Sequence, residues 1–214
     1  MTLNPITKTA NDIANYVKRQ FGDESGAQIT DSDIYRWIDA AQLQIVAKSA
    51  PIKAKSVTDI VANQQTYDLS ALAIHQIESI HYNGGFLPSR SFAEAERYIF
   101  DSGTAETGTA QFWYEWAGQI SLYPVPDTAL VGGLEIFYTK MPTPIANGTT
   151  PLSLPDKYFE AIVSWIMAKA YELDEEFDQA SNQRQFFDAT VNDQNFEERT
   201  QQNMTYPVIT FLED

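Results

Sequence analysis

The segment AQFWYEWAGQISLYPVP, residues 110–126, holds two β-prone runs separated by a turn. Aromatic residues dominate the first run, 110–116, and the second, 119–123, contains Ile120 and Tyr123. Aromatic and β-branched residues favour strands. Ala117-Gly118 between them is short enough for a tight hairpin, and glycine tolerates the positive φ that such a turn requires. The segment therefore predicts a β-hairpin near the centre of the chain.

Further strand patterns flank this hairpin on both sides. They alternate between apolar and polar residues or are rich in β-prone residues, and they cover residues 53–62, 66–69, 77–82 and 134–138. Asn83-Gly84-Gly85 is typical of a hairpin turn. Ser91 and Glu94 have the spacing of a capping box, which predicts a short helix from about residue 91 to 100. The middle of the chain is therefore strand-rich with one inserted helix.

Helix patterns occupy the regions before and after the strands. Apolar residues recur at helical spacing in residues 9–21, 30–50, 154–173 and 177–202. Thr9 can cap the first helix, and Thr30 with Asp33 resembles a capping box before the second. In the last two helices the buried stripe is predicted to include Leu173 and Phe177.

This order of elements predicts an α+β protein. We expect the terminal helices, residues 1–52 and 152–202, to form an α-helical bundle, because two helix pairs can bury their apolar faces against each other. Residues 53–151 form an inserted antiparallel β-rich lobe with one short helix. Residues 203–214 are predicted to form an extended C-terminal arm.

The composition limits the possible functions. The 214 residues include 29 Asp and Glu against 14 Lys and Arg, a formal charge of −15. This balance argues against tight nonspecific binding to nucleic acid and against adsorption to anionic membranes, since both need cationic side chains. The absence of cysteine excludes disulfides, thiol nucleophiles and Cys-ligated zinc. Because signal-peptide and membrane-span patterns are missing, we expect a soluble protein made in a reducing cytoplasm.

The negative charge is concentrated in the second half of the sequence. Residues 1–100 hold nine basic and eleven acidic side chains, whereas residues 101–214 hold five and eighteen. One dense acidic cluster consists of Glu172, Asp174, Glu175, Glu176 and Asp178. It lacks the alternating spacing and the glycine of a calcium loop. It is either a solvated helix junction or a surface that repels an anionic molecule.

Motifs for catalysis are missing from the sequence. Phosphate-binding loops, the nucleophile elbow, the zinc-protease HExxH pattern and EF-hand loops do not occur. The two histidines, His75 and His81, would share one face of an unbroken strand, but zinc normally needs at least three protein ligands. We therefore expect no enzyme, no metal site and no cofactor.

An aromatic cluster lies in the first strand of the central hairpin. It consists of Phe112, Trp113, Tyr114 and Trp116. The cluster belongs to a strand buried on both faces, or to one covered on its outer face by a neighbouring subunit. Alternatively, Trp113 and Trp116 form a sugar-stacking platform of a carbohydrate-binding or tail-fibre-like β module.

Residues 206–211 form an apolar, β-prone segment after a polar spacer. They are Tyr206, Pro207, Val208, Ile209, Thr210 and Phe211. An exposed apolar segment of this kind promotes aggregation unless it is covered. The segment therefore either folds back onto its own β lobe or adds a strand to another protein.

Several of these segments resemble one known family. WAGQISLYPVP, residues 116–126, resembles the G-x-I-x-L-x-P-x-P hairpin of tailed-bacteriophage head-to-tail adaptor proteins, in particular the podovirus tail tubular protein A family. The strand at 134–138, Pro142 and the helix entered at 154–158 follow in the order typical of that family. Residues 64–69, QQTYDL, are similar to its short x-x-Y-x-L strand.

The resemblance implies a structural protein of the virion, located in the tail or neck and assembled in the host cytoplasm. It implies a homo-oligomeric ring of twelve copies that joins the portal protein to the tail nozzle protein. Genomic DNA would pass through the central channel without specific binding. On this interpretation residues 206–211 contact the portal, and the acidic cluster at 172–178 faces the channel or the solvent.

Overall fold

The computed structural model describes residues 5–101 and 106–204. The chain divides into two units. The helical unit comprises Met1–Pro51 and Pro142–Asp214, and the β unit comprises Ile52–Met141. In chain order the elements are α1 (Ala10–Phe21), α2 (Asp31–Ser49), β1 (Lys53–Ile60), β2 (Thr66–Asp68), β3 (Ile74–Tyr82), β4 (Gly85–Leu87), α3 (Phe92–Asp101), β5 (Thr107–Gly108), β6 (Phe112–Trp116), β7 (Gln119–Tyr123), β8 (Val125–Pro126), β9 (Leu130–Lys140), α4 (Phe159–Leu173) and α5 (Phe177–Met204). The predicted α+β fold class is confirmed.

The first two helices begin with capping boxes. The Thr9 side chain accepts a hydrogen bond from the Asp12 backbone N–H, and the Asp12 carboxylate accepts one from the Thr9 N–H. Thr30 and Asp33 repeat this arrangement at α2. Each box satisfies backbone donors that have no partner within the helix. The caps predicted at Thr9 and Thr30 are confirmed.

The segment between β9 and α4 is bonded to the first two helices. The Asn11 N–H donates to the carbonyl of Gly148 at 2.8 Å, and the Ile145 N–H donates to the Asp39 carboxylate at 2.9 Å. A Cβ on Gly148 would lie 1.8 Å from Asn11 Oδ1, so a larger residue would displace the Asn11 side chain and its hydrogen bond with the Tyr35 hydroxyl. Residues 142–151, which the sequence analysis assigns to the β-rich lobe, therefore pack with the helical unit.

The core of the helical unit is formed by one apolar stripe from each helix. Its fully buried members include Ile13, Val17, Ile34, Ile38, Ile45, Tyr158, Ile162, Ile166, Phe187 and Val191. A 3-10 turn, Asp156–Tyr158, leads into α4, so the α-helix predicted from residue 154 begins five residues later. Leu173 and Phe177 were predicted to be buried, and this was wrong, because both lie beside the α4–α5 turn and are exposed.

Two antiparallel sheets share the main core of the β unit. One has the strand order β1-β9-β3-β4 and the other β2-β7-β6. Ile80, Leu134 and Ile136 of the first sheet and Ile120 and Leu122 of the second belong to one apolar cluster. A short parallel pair, β5 and β8, adds a separate two-stranded sheet. This pair departs from the otherwise antiparallel arrangement that the sequence predicts.

The central hairpin has the predicted geometry. β6 and β7 pair from Phe112 with Tyr123 to Trp116 with Gln119. Ala117 and Gly118 both have positive φ, 52° and 75°, as a two-residue turn of the primed type requires. β3 and β9 are longer than the segments predicted for them, 77–82 and 134–138. The start of β3 pairs with the end of β9, and Leu130 at the start of β9 pairs with Ile60 of β1.

Within residues 5–101 and 106–204, no helix combines the length and the apolar character needed to cross a membrane.

Candidate interaction surfaces

The acidic cluster forms the turn between α4 and α5. The structure brings its five residues together there, and Asp174, Glu175, Glu176 and Asp178 are all exposed. The Glu175 N–H donates to the Glu172 carbonyl, and the Glu176 N–H donates to the Tyr171 carbonyl. These two bonds are those of a Schellman motif, which satisfies the last carbonyls of α4. We call this turn the acidic junction.

Glu175 occupies the left-handed position of that motif, with φ of 61°. Glycine is the usual residue there, because any Cβ makes this conformation costly. A glutamate at this position therefore carries a conformational cost that glycine would avoid. Backbone strain of this kind is found more often at functional positions than elsewhere.

Only one of the junction carboxylates is neutralised. Lys169 and Arg184 both form ion pairs with Glu172. Among the described residues, no ion pair reaches the other four carboxylates. The junction therefore presents a dense negative charge to the solvent.

The aromatic cluster of β6 is divided between core and surface. Phe112, Trp113 and Tyr114 are buried, whereas Trp116 exposes 61% of its surface. Trp113 packs between the two sheets, and Phe112 and Tyr114 pack on the opposite side with residues of α3. The interpretation of a strand buried on both faces is therefore confirmed for residues 112–114.

Trp113 has no face available for a sugar. Its indole N–H donates to the Leu87 carbonyl at 3.1 Å within the core. Trp116 already stacks on Phe92, with the ring centroids 4.3 Å apart and the planes 25° from parallel. The predicted stacking platform of Trp113 and Trp116 is wrong, because the two rings lie on opposite sides of the strand and the first is enclosed.

The two histidines do not form a paired site. β-bulges interrupt the pairing of β3 with β9 between Ile74 and Gln76 and between Ile77 and Ser79. The unbroken strand that would place His75 and His81 on one face is therefore not present. His81 packs beside the Phe137 and Phe86 rings, at 5.1 and 6.2 Å. Across the described ranges, no group of three His, Cys, Asp or Glu side chains could hold a metal ion.

Asp23 organises the loop between α1 and α2. This buried carboxylate accepts backbone hydrogen bonds from Ala27, Gln28 and Ile29 at 2.8–2.9 Å. The bond from Ile29 contributes most to holding the pKa of Asp23 below its ordinary value, since these donors favour the charged form. The carboxylate thus fixes the loop that leads into the N-terminal cap of α2.

Sequence reasoning missed an outward face of α5. Phe186 and Phe196 lie away from α4 and expose 62% and 72% of their surface. Phe186 is adjacent to the buried Phe187, and adjacent helical residues point about 100° apart. The two adjacent phenylalanines were the sequence signal for an exposed apolar face, because a helix packed on one side rarely buries both members of such a pair. The predicted portal-contacting residues, 206–211, lie outside the described residues.

These features define a two-unit α+β protein whose notable exposed groups are an acidic junction and apolar residues on helices. The family model of the SU10 adaptor protein matches residues 8–210. The chain therefore belongs to the SU10 adaptor protein family, and the resemblance to head-to-tail adaptors is confirmed. No curated protein shows a significant match to the chain.

Membership makes the protein a structural adaptor of a bacteriophage virion, located in its neck. Such adaptors associate with portal and tail proteins in an oligomer. The family is one of structural proteins, which agrees with the prediction of a non-enzymatic role.

Proposed function

We propose that this chain forms a ring, of twelve copies, that joins the portal to the tail nozzle and surrounds part of the DNA ejection channel. The observation that carries the proposal is the adaptor-family match over residues 8–210, nearly the whole chain. In this arrangement the protein performs no reaction, and its function is to hold two larger assemblies together around a path for DNA.

The charge of the molecule supports the part of the proposal that concerns the channel. A ring repeats the charge of −15 in every copy. DNA binds proteins mainly through phosphate contacts with Lys and Arg. A channel wall of unpaired carboxylates therefore repels DNA and lets it slide. The acidic junction, with its strained Glu175, is the segment that we assign to this wall.

Residues 206–211 are the segment that we assign to the portal. An extended chain with Val208, Ile209 and Phe211 has the composition of a segment that adds a strand to a partner's sheet.

The ring and the arm can be tested together with purified portal protein of the same phage. We expect sedimentation and electron microscopy to show a ring of this chain bound to the portal. Deleting residues 204–214 should abolish that complex, while circular dichroism shows the same folded chain. A chain that stays monomeric with portal present would contradict the ring, and a truncated chain that still binds would contradict the arm.

The acidic wall needs a separate test. Reversing Glu175, Glu176 and Asp178 to lysine should make the assembled ring retain DNA in a salt-dependent manner. Reversing Glu24, Glu115 and Asp127, which are also exposed, changes the net charge equally and serves as the control. DNA retention that is equal in the two triple variants, measured by filter binding at several salt concentrations, would contradict the assignment of the junction to the channel.

A further inference from the structure

The outward face of α5 carries an apolar stripe in an otherwise polar helix. Phe186, Ala189 and Phe196 follow one another at spacings of three and seven, with Asn182 and Asp193 completing the series at 182, 186, 189, 193 and 196. That is the spacing of residues lining the seam between two packed helices. We call these five residues the α5 stripe.

Within the part of the helical unit that the structure describes, this stripe lies outside the packed core. α5 packs on α4 through Ala180, Phe187 and Val191, which are all buried. The stripe lies on the far side, where Phe186 and Phe196 remain exposed to solvent. Large exposed phenylalanines in a soluble chain are typical of protein–protein interfaces.

The outward face of α2 has a matching pattern. Arg36, Ala40, Leu43 and Ala47 repeat the spacing of the α5 stripe on the side opposite the buried residues of α2, and we call them the α2 stripe. Leu43 exposes 43% of its surface. Small alanines beside one leucine leave grooves, and large phenylalanines form ridges that fill such grooves.

Charge determines which stripes can meet. Asp178, Asp193 and Glu197 lie along the exposed side of α5 without a cation among them. Two α5 stripes placed against each other would therefore bring like charges together. The acidic side chains at the start of α2 are paired instead, Asp31 with Lys18 and Asp33 with Arg36 of the α2 stripe. The α2 stripe therefore adds no unpaired negative charge, and the weaker repulsion favours α5 on α2 over α5 on α5.

We propose that the α5 stripe of one copy packs on the α2 stripe of a second copy. This contact joins two different faces, so each copy can both give and receive it, and repetition closes a ring when the rotation between copies is suitable. The inference rests on the proposed ring and identifies which helices form its subunit contacts.

Cysteine cross-linking in the assembled oligomer tests the contact, because the chain has no cysteine of its own. In the double variant Leu43→Cys with Ala189→Cys, mild oxidation should produce a ladder of cross-linked multimers, since a disulfide needs the two Cα atoms within about 7 Å. The pair Asn15→Cys with Ala189→Cys, with Asn15 exposed on α1, is the control and should give no ladder.

A charge placed in the stripe provides the second measurement. Phe186→Glu should eliminate the oligomer in analytical ultracentrifugation while leaving the circular dichroism spectrum of the chain unchanged. Phe177→Glu is the matched control, because Phe177 is as exposed, lies on the same helix and points half a turn away. This control variant should assemble normally.

The outcomes separate this inference from the function on which it rests. If no oligomer forms even with portal present, both the ring and this contact are wrong. An oligomer that forms without the 43–189 ladder, or that survives Phe186→Glu, contradicts only the contact. Dimers cross-linked by Ala189→Cys alone would show that two α5 helices pair, and would also overturn it.

Discussion

In the β unit, Phe112, Trp113 and Tyr114 lie in the core, whereas on α5 of the helical unit Phe186 and Phe196 are exposed. The first three are consecutive residues of a strand that is covered on both faces. Phe186 and Phe196 lie on the exposed side of a mostly polar helix whose other side packs on the helical core. The architecture around a residue, more than its type, therefore decides whether an aromatic side chain stabilises the fold or remains available to a partner.

The comparison also distinguishes aromatic residues that stabilise the fold from aromatic residues that are exposed to a partner. Dense aromatic sequence in β6 suggested a binding surface, yet it serves the packing of the two sheets and of α3. Phe186 and Phe196 of α5 belong to no sequence motif, yet they are among the large apolar residues exposed on the helical unit. An exposed apolar residue indicates an interaction site when the protein surface around it is polar.

The largest expected effect is a loss of stability when Trp113 of β6 is replaced, and Trp116 of the same strand provides the comparison. Trp113→Ala should lower the free energy of unfolding by about 3–5 kcal/mol, since it leaves a cavity between the sheets and an unpaired Leu87 carbonyl. Trp116→Ala loses its stacking on Phe92 and should cost about 0.5–1.5 kcal/mol. Urea unfolding of the two variants measures both values. Equal losses would show that Trp113 is not the buried member of the pair.

Adjacent residues of α5 allow the same test in the helical unit. Phe187 packs against Trp165, with the ring centroids 5.0 Å apart, and is fully buried. Phe187→Ala should therefore cost about 3–5 kcal/mol. Phe186→Ala should stay within about 0.5 kcal/mol of the original chain, as is usual for surface substitutions. Urea unfolding of the monomer would contradict the comparison if Phe186→Ala proved the more destabilising.

The parts of the fold that were predictable from the sequence are those fixed by local interactions. Capping at Thr30 depends on Asp33 three residues later, and the hairpin at Ala117-Gly118 depends on two adjacent residues. The bulges of β3 and the exposure of Phe177 depend on partners far away in the sequence, and no local pattern contains that information.

The interaction surfaces also differ in whether the sequence alone can predict them. The residues of the acidic junction are close in sequence, so the sequence alone identifies them as a cluster. The α2 and α5 stripes are recognisable only when the inward face of each helix is known, because α2 carries apolar residues on both sides. Leu43 cannot be distinguished from core residues such as Ile45 by residue type, and only the packing of α2 against α1 and α4 separates them.

Acidification should affect the α1–α2 loop through Asp23. A carboxyl whose pKa is lowered by folding stabilises the folded state at pH values above its ordinary pKa of 3.8, and this contribution is lost as the pH falls through the lower folded value. Asp23→Asn should lower the thermal midpoint at pH 6, because a neutral amide oxygen replaces a carboxylate that accepts three N–H groups.

The difference between Asp23→Asn and the original chain should then shrink as the pH falls below 3.8. Thermal unfolding followed by circular dichroism from pH 6 to pH 2 measures this convergence. A difference that is constant over the whole range would mean that the charge of Asp23 does not contribute.

The smallest expected effect is a gain in stability, on replacement of Glu175. Glycine at its left-handed position removes the steric cost of a Cβ, so Glu175→Gly should raise the free energy of unfolding by about 1 kcal/mol. Glu176→Gly removes the same charge from the neighbouring position, where φ is not positive, and should not stabilise the chain. Comparing the two by urea unfolding separates backbone strain from charge repulsion. Equal stabilisation by both variants would assign the effect to repulsion between carboxylates and not to backbone strain at Glu175.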